Sequence, residues 1–154
     1  MMTSVNTVLD KIVSTQNVFY TRLHQFHWYV KGPDFFDLHV KFEELYDAVT
    51  VDMDEVAERL LTVGGSPSAT FSEFTENSVI SENVEDKHLS AVEMAEAVVA
   101  DLKAYTELLK EGIELTDEAG DDVSNDMLIA IRANMDKQIW MLQAFLDSKT
   151  NVQA

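Results

Sequence analysis

The chain has 154 residues, 46% of them hydrophobic, enough for one compact core. Its 28 acidic residues against 11 basic ones give a formal charge of −17, which opposes wrapping of phosphate backbones and docking on anionic membranes, and suits cations. With no Cys, disulfides, thiolate metal sites and thiol nucleophiles are excluded.

Residues Met1 to Gln16 lack a basic stretch followed by an apolar run, so no signal peptide is expected. No apolar run reaches the ~20 residues needed to cross a bilayer. The chain reads as a single domain, residues 1–154, working in the cytoplasm and not at a membrane. The first helix is predicted from about Val5 to Val30, with Val8, Leu9, Ile12, Val13, Phe19, Leu23 and Phe26 on its apolar stripe. Gly32-Pro33 breaks it. Asp34, with Asp37 three residues on, is predicted to cap the second helix. That helix carries Leu38, Phe42, Leu45, Val49, Met53, Val56, Leu60 and Leu61 and stops at Gly64-Gly65-Ser66-Pro67.

Phe71 and Phe74 are spaced for one face of a short helix within a long link that ends near Leu89. Ser90 and Glu93 predict a capping box for the third long helix, which carries Val92, Val98, Val99, Leu102, Tyr105, Leu108 and Leu109. Glu111 to Asp126 holds seven acidic residues and no basic one. The fourth long helix carries Met127, Leu128, Ile131, Met135, Ile139, Leu142, Phe145 and Leu146. The expected fold is all-α: a four-helix bundle with one long crossover between the second and third long helices, the ferritin-like topology. The short helix lies in that crossover.

His27 sits on the apolar stripe of the first helix, where a lone His is ordinarily a hydrogen-bonded core residue. The second helix adds His39 with Glu43 and Asp54 with Glu58, each pair at i,i+4 on one face. Singly, each pair also reads as a solvated or salt-bridged face, with Lys41 and Arg59 nearby. His39 and Asp54 are 15 residues apart. At ~1.5 Å and ~100° per residue this is roughly 22 Å of helix and a net rotation near 60°. The pairs share a broad stripe but cannot share one metal ion within a chain. Positions 39 and 58, and 43 and 54, are symmetric about the midpoint between Ala48 and Val49. A two-fold axis there brings His39 and Glu43 of one copy beside Glu58 and Asp54 of the other.

Such nitrogen and oxygen donors suit Fe, Mn or Zn better than copper(I). Carboxylates favour ferric over ferrous iron and so assist oxidation. Zinc, which binds such ligands more tightly than ferrous iron, is expected to compete, as is Mn. A di-iron site inside the bundle needs two Glu-x-x-His motifs; the only one here, Glu85 to His88, falls at the end of the link.

His24-Gln25-Phe26-His27-Trp28-Tyr29-Val30-Lys31-Gly32, Phe36-Asp37-Leu38-His39 and Asp54-Glu55-Val56-Ala57-Glu58-Arg59-Leu60 resemble successive motifs of the Dps family, the ferritin-like mini-ferritins. Asn125-Asp126-Met127-Leu128 and Lys137-Gln138-Ile139-Trp140-Met141 fit as well. The resemblance spans about Val5 to Leu146. It implies a homo-oligomeric shell of twelve subunits with a ferroxidase centre for two iron ions at each two-fold interface. His27, His39 and Glu43 would come from one subunit, and Asp54 and Glu58 from its mate. The family typically has Asp where this chain has Glu43.

The resemblance further implies hydrogen peroxide as preferred oxidant, with ferric mineral stored inside and oxidative damage suppressed. It gives Trp28, otherwise a packing aromatic, a role beside the centre as electron donor or radical sink. Trp140 reads as core or interface. Asp122 and Asp126, with Asp117 or Glu118, are implied to line three-fold pores through which iron enters. The bland alternative for these acids is a favourable helix start. Family members that bind DNA usually use basic tails. Here residues 1–20 contain only Lys11 and the segment after Leu146 only Lys149, so no DNA binding is expected. The alternatives are a nucleoid-associated DNA-protecting protein, and a structural bundle with a degenerate metal site.

Overall fold

The computed structural model describes residues 4–150. The termini read above for a leader and for basic tails lie partly outside that range. Among the described residues there are helices and no strands. The helices are α1 (Val5–Tyr29), α2 (Phe35–Thr62), α3 (Phe71–Asn77), α4 (Ala91–Glu118) and α5 (Asp122–Thr150), with a 3-10 turn at Val84–His88. Among the described residues no helix is long and apolar enough to cross a membrane.

α1 and α2 pack as one hairpin, α4 and α5 as a second, and α1 bridges to α4. This is the expected four-helix bundle, with the crossover carrying α3 and the 3-10 turn along α1. The apolar stripes meet in one core. Phe19, Phe26, Phe42 and Tyr105 are its largest rings, with Phe19 edge-on to Tyr105 at 6.0 Å. Gly112 leaves room for side chains of α1 and α5: a Cβ there would lie 2.8 Å from Leu128 Cδ1 and 3.2 Å from Ile12 Cδ1.

Local signals set most boundaries. Ser90 and Glu93 form the predicted reciprocal capping box, satisfying amides left over at the start of α4. Asp34 stands at the start of α2 but makes no side-chain cap. Its carboxylate is instead drawn 3.0 Å from Lys149 Nζ, at the far end of the chain. The acidic segment forms the end of α4 and the first turns of α5, joined at Gly120, whose φ of +71° suits a residue without a Cβ. Leu61, read as part of the α2 stripe, is exposed, and so is Phe71, while Phe74 packs on the core. Trp140 is 67% exposed and lies outside the core.

Polar contacts fasten the crossover to the bundle. Asp10 accepts from the Ser68 amide at 2.6 Å and from the Ser68 hydroxyl at 2.9 Å. Thr15 Oγ1 accepts from the Val79 amide. Arg22, nearly buried, donates through Nε to Asp101 of α4 at 2.6 Å and through a terminal nitrogen to Asp86 of the 3-10 turn at 2.8 Å.

Asp52 lies on the core-facing line of α2, between buried Val49 and Val56. Partial burial, then Glu55, pushes its carboxyl up to about 6, from an ordinary 3.8. The folded chain therefore holds this proton at a pH where the unfolded chain has released it. Stability from Asp52 is highest below about pH 4 and is lost as pH rises through about 6. Asp52→Asn is expected to raise the thermal midpoint at neutral pH, and the gain should shrink as the pH approaches 4. Thermal scans across that window check it; an equal shift at every pH would dissociate the effect from the carboxyl's proton.

Candidate metal centre

His27 is in the last turn of α1 and His39 in the second turn of α2. The short link folds α2 back along α1 and brings the rings together, stacked with centroids 3.7 Å apart and planes 12° from parallel. The pairing is reciprocal. His27 Nδ1 lies 2.7 Å from the His39 carbonyl, and His39 Nδ1 lies 2.8 Å from the His27 carbonyl. A carbonyl only accepts, so both Nδ1 atoms carry the proton. The lone pair of each neutral ring is thereby fixed on Nε2, the arrangement a metal-binding histidine needs. The His27 carbonyl is one of those that the end of α1 leaves without a helical partner, so His39 also caps the helix. His27 is therefore buried and hydrogen-bonded, as the bland reading has it, while its Nε2 stays available.

Glu43 is one turn beyond His39 and exposed. Its Oε1 accepts from the Tyr46 hydroxyl at 3.1 Å. Partial burial, followed by the Glu43 hydrogen bond and charge, raises the Tyr46 phenol above its ordinary value. Tyr46 in turn stacks on His24 at 3.9 Å and meets His27 edge-on at 5.3 Å. Both ring nitrogens of His24 are buried without a hydrogen-bond partner. Burial and the nearby His27 lower its pKa, outweighing Asp47.

Asp54 and Glu58 are exposed further along α2. Lys41 and Arg59, the salt-bridge partners considered for these acids, are engaged elsewhere. Lys41 pairs with Glu44, and Arg59 with Asp121 and Ser124 at the start of α5. Among the described residues, no three His, Asp or Glu side chains of one chain are close enough to hold a metal ion. One chain thus joins His27 with His39 and leaves Asp54 and Glu58 apart. Trp28 is 69% exposed, so it is no packing residue within the subunit; it lies 5.1 Å from His24. It borders an open groove of about 770 Å³, also lined by Tyr20, His24, Tyr29, Phe71 and Val84.

At the other end of α2, Asp121 receives Arg59 at 2.9 Å and the Ser124 amide at 3.1 Å. Its pKa lies below the usual carboxylate value, because these hydrogen bonds and the Arg59 charge together outweigh burial, the largest single contribution. Asp117, Glu118, Asp122 and Asp126 stay exposed around it.

Residues 6–150 match the ferritin-like domain family. The chain is 47% identical over 150 residues to the DNA protection during starvation protein of Listeria innocua, covering 94% of this chain and 96% of the relative. It is 44% identical to General stress protein 20U of Bacillus subtilis, covering 90% and 94%. This chain belongs to the Dps family of ferritin-like proteins. Solved Dps structures superpose closely. Dps from Listeria monocytogenes gives a TM-score of 0.92 at 45% identity, covering 94% of each chain. Dps from Listeria innocua soaked with cobalt gives 0.91 at 46%, covering 94% and 93%.

Sequence reasoning about the Dps motifs singled out His27, His39, Glu43, Asp54 and Glu58. It passed over Tyr46 and left His24 unassigned. Tyr46 stands three residues after Glu43, a spacing that puts both on one helix face and would have found it. His24 shares a face of α1 with Tyr20, His27 and Trp28 by spacing, but its stacking on Tyr46 comes from α2 and carries no local signal.

Proposed function

We propose that this protein oxidises ferrous iron, preferentially with hydrogen peroxide, at centres shared between two subunits. The ferric product is stored as mineral inside a hollow shell of twelve subunits, in the cytoplasm. The reciprocal His27–His39 pair carries this reading. It presents two metal-ready nitrogens in a chain whose best-spaced carboxylates lie too far along the same helix to join them. A second copy related by a two-fold axis supplies Asp54 and Glu58 beside His27, His39 and Glu43, and covers the groove at Trp28 and Phe71.

Iron is the substrate here. Two ferrous ions give one electron each to peroxide, whose O–O bond breaks without releasing a hydroxyl radical. The carboxylates favour the ferric product by charge. The two neutral histidines hold the ions without adding positive charge, and Nδ1 anchoring keeps both rings in place. Zn and Mn compete for the same donors. The deciding experiment adds ferrous iron anaerobically, then peroxide or oxygen, and follows ferric absorbance. Fast oxidation with peroxide and slow oxidation with oxygen is expected. No acceleration over a protein-free control would leave a structural bundle without the chemistry.

Asp122 and Asp126, with Asp117 or Glu118, line the pores that admit iron in this reading, because a ring of unpaired carboxylates concentrates cations. Asp122→Asn with Asp126→Asn is expected to slow mineral growth severalfold while leaving the first turnover of pre-bound iron intact. Stopped-flow traces at low and high iron loading separate the two, and an unchanged growth rate would remove these residues from the path.

The relatives' name, DNA protection during starvation protein, favours a second reading, direct DNA binding. The charge of −17 opposes it. Protection by consuming iron and peroxide needs no contact with DNA. The shell is expected to leave DNA mobility unchanged in a gel; a shift that weakens steeply with salt would restore the binding reading.

A further inference from the structure

Tyr46 occupies a position that the reaction proposed above does not use. Among the described residues it is the one tyrosine whose hydroxyl donates to a carboxylate, Glu43 Oε1 at 3.1 Å. Its ring is half-buried. It stacks on His24 at 3.9 Å with planes 19° apart, and meets His27 at 5.3 Å and Tyr20 at 6.0 Å, both edge-on. Oxidising a phenol requires removing its proton along with the electron, so a base already hydrogen-bonded to the oxygen is the decisive feature. Glu43 is that base, and it is also a candidate iron ligand. Trp28 lies outward of the same stack, 5.1 Å from His24, but is 69% exposed. Tyr46 is half-buried, with His24, His27 and Tyr20 against its ring.

We infer that Tyr46 is the one-electron donor that completes peroxide reduction when a centre holds a single ferrous ion. This rests on the ferroxidase reading. Ferrous iron gives one electron and Tyr46 the other. The peroxide O–O bond breaks, and two waters form from its oxygens with two protons. One of these is the phenol proton, passed through Glu43; the other comes from solvent. Ferric iron and a neutral tyrosyl radical remain. The next ferrous ion returns the electron, and a second proton taken from solvent reaches the phenoxyl oxygen through Glu43. The net reaction is still two ferrous ions oxidised per peroxide, so a half-filled centre avoids releasing hydroxyl radical.

The length of residue 43 matters to this device. Glu reaches the hydroxyl one turn away, and Asp, one methylene shorter, brings its carboxylate less far along the helix. Glu43→Asp is therefore expected to keep an acid at the centre while weakening the phenol's contact with its base.

The test uses the assembled wild-type shell with one ferrous ion per centre, mixed anaerobically with peroxide and freeze-quenched for electron paramagnetic resonance. A tyrosyl signal is expected, narrowed by ring-deuterated tyrosine. Tyr46→Phe keeps the ring and its stack, and should reduce the signal to background. Spin-trapped hydroxyl radical should rise severalfold. Tyr29→Phe, at an exposed tyrosine outside the cluster, should leave both unchanged. Glu43→Asp should lower the tyrosyl yield. A Tyr46→Phe shell with the wild-type radical, or with unchanged hydroxyl yield, overturns the assignment even if iron oxidation proceeds normally. A wild-type shell that fails to accelerate iron oxidation at all overturns the ferroxidase reading itself.

Discussion

Asp54→Asn with Glu58→Gln is expected to lower peroxide-driven iron oxidation by at least about 100-fold, the upper end of what losing a mere supporting contact costs a metal site. Both side chains are exposed on α2, so their amides should leave the subunit fold intact. The sharper version mixes two inactive proteins. One carries His27→Ala with His39→Ala; the other carries the Asn and Gln substitutions. If a centre draws its histidines from one chain and its acids from the mate, random pairing by unfolding and refolding regenerates about a quarter of the centres. A centre built within one chain regenerates none. Ferric absorbance after co-refolding reads the difference directly, and zero recovery with normal assembly would end the shared-site reading.

Arg22→Ala is expected to destabilise the subunit by about 3–5 kcal/mol, the range for removing one partner of a buried ion pair. The reason is local. Among the described residues, Arg22 is the only cation bonded to two carboxylates that come from different elements, Asp86 of the 3-10 turn and Asp101 of α4. Burial, despite Arg22, pushes the Asp101 carboxyl up to about 6. Without the guanidinium, that carboxylate would be buried and unpaired. Lys at 22 offers a single point charge where two directed bonds are needed, so Arg22→Lys should recover only part of the loss. Denaturant midpoints of the three proteins check this. A loss below about 1 kcal/mol would show that the pair behaves as a surface salt bridge. Because Asp86 fixes the crossover beside the Trp28 groove, Arg22→Ala should also weaken assembly.

The helical bundle was legible because its cause is local and repeated. Apolar residues every three or four positions give each helix one buried stripe. Gly64 and Gly120 end helices in a left-handed conformation, and Ser90 with Glu93 starts one. The spacing of His39, Glu43, Asp54 and Glu58 was legible for the same reason, since one continuous helix spans all four.

Other features depended on neighbours far away in the chain, and only the tertiary structure decided them. Asp34 had the right residue and position for a cap, but Lys149 took its carboxylate. Spacing puts Asp52 on the line of Val49 and Val56, but only packing of the bundle decided how far its carboxyl is buried. Arg59 stood beside Glu58 in sequence and turned to Asp121 instead. Trp140, open to either reading in the sequence, came out on the surface. Periodicity tells which face of a helix is buried. It does not tell which polar group a side chain will meet there. The locked tautomers of His27 and His39, and the Glu43–Tyr46–His24 stack, follow from how α1 and α2 lie against each other, and a hydrogen bond's direction is fixed only when both partners are in place.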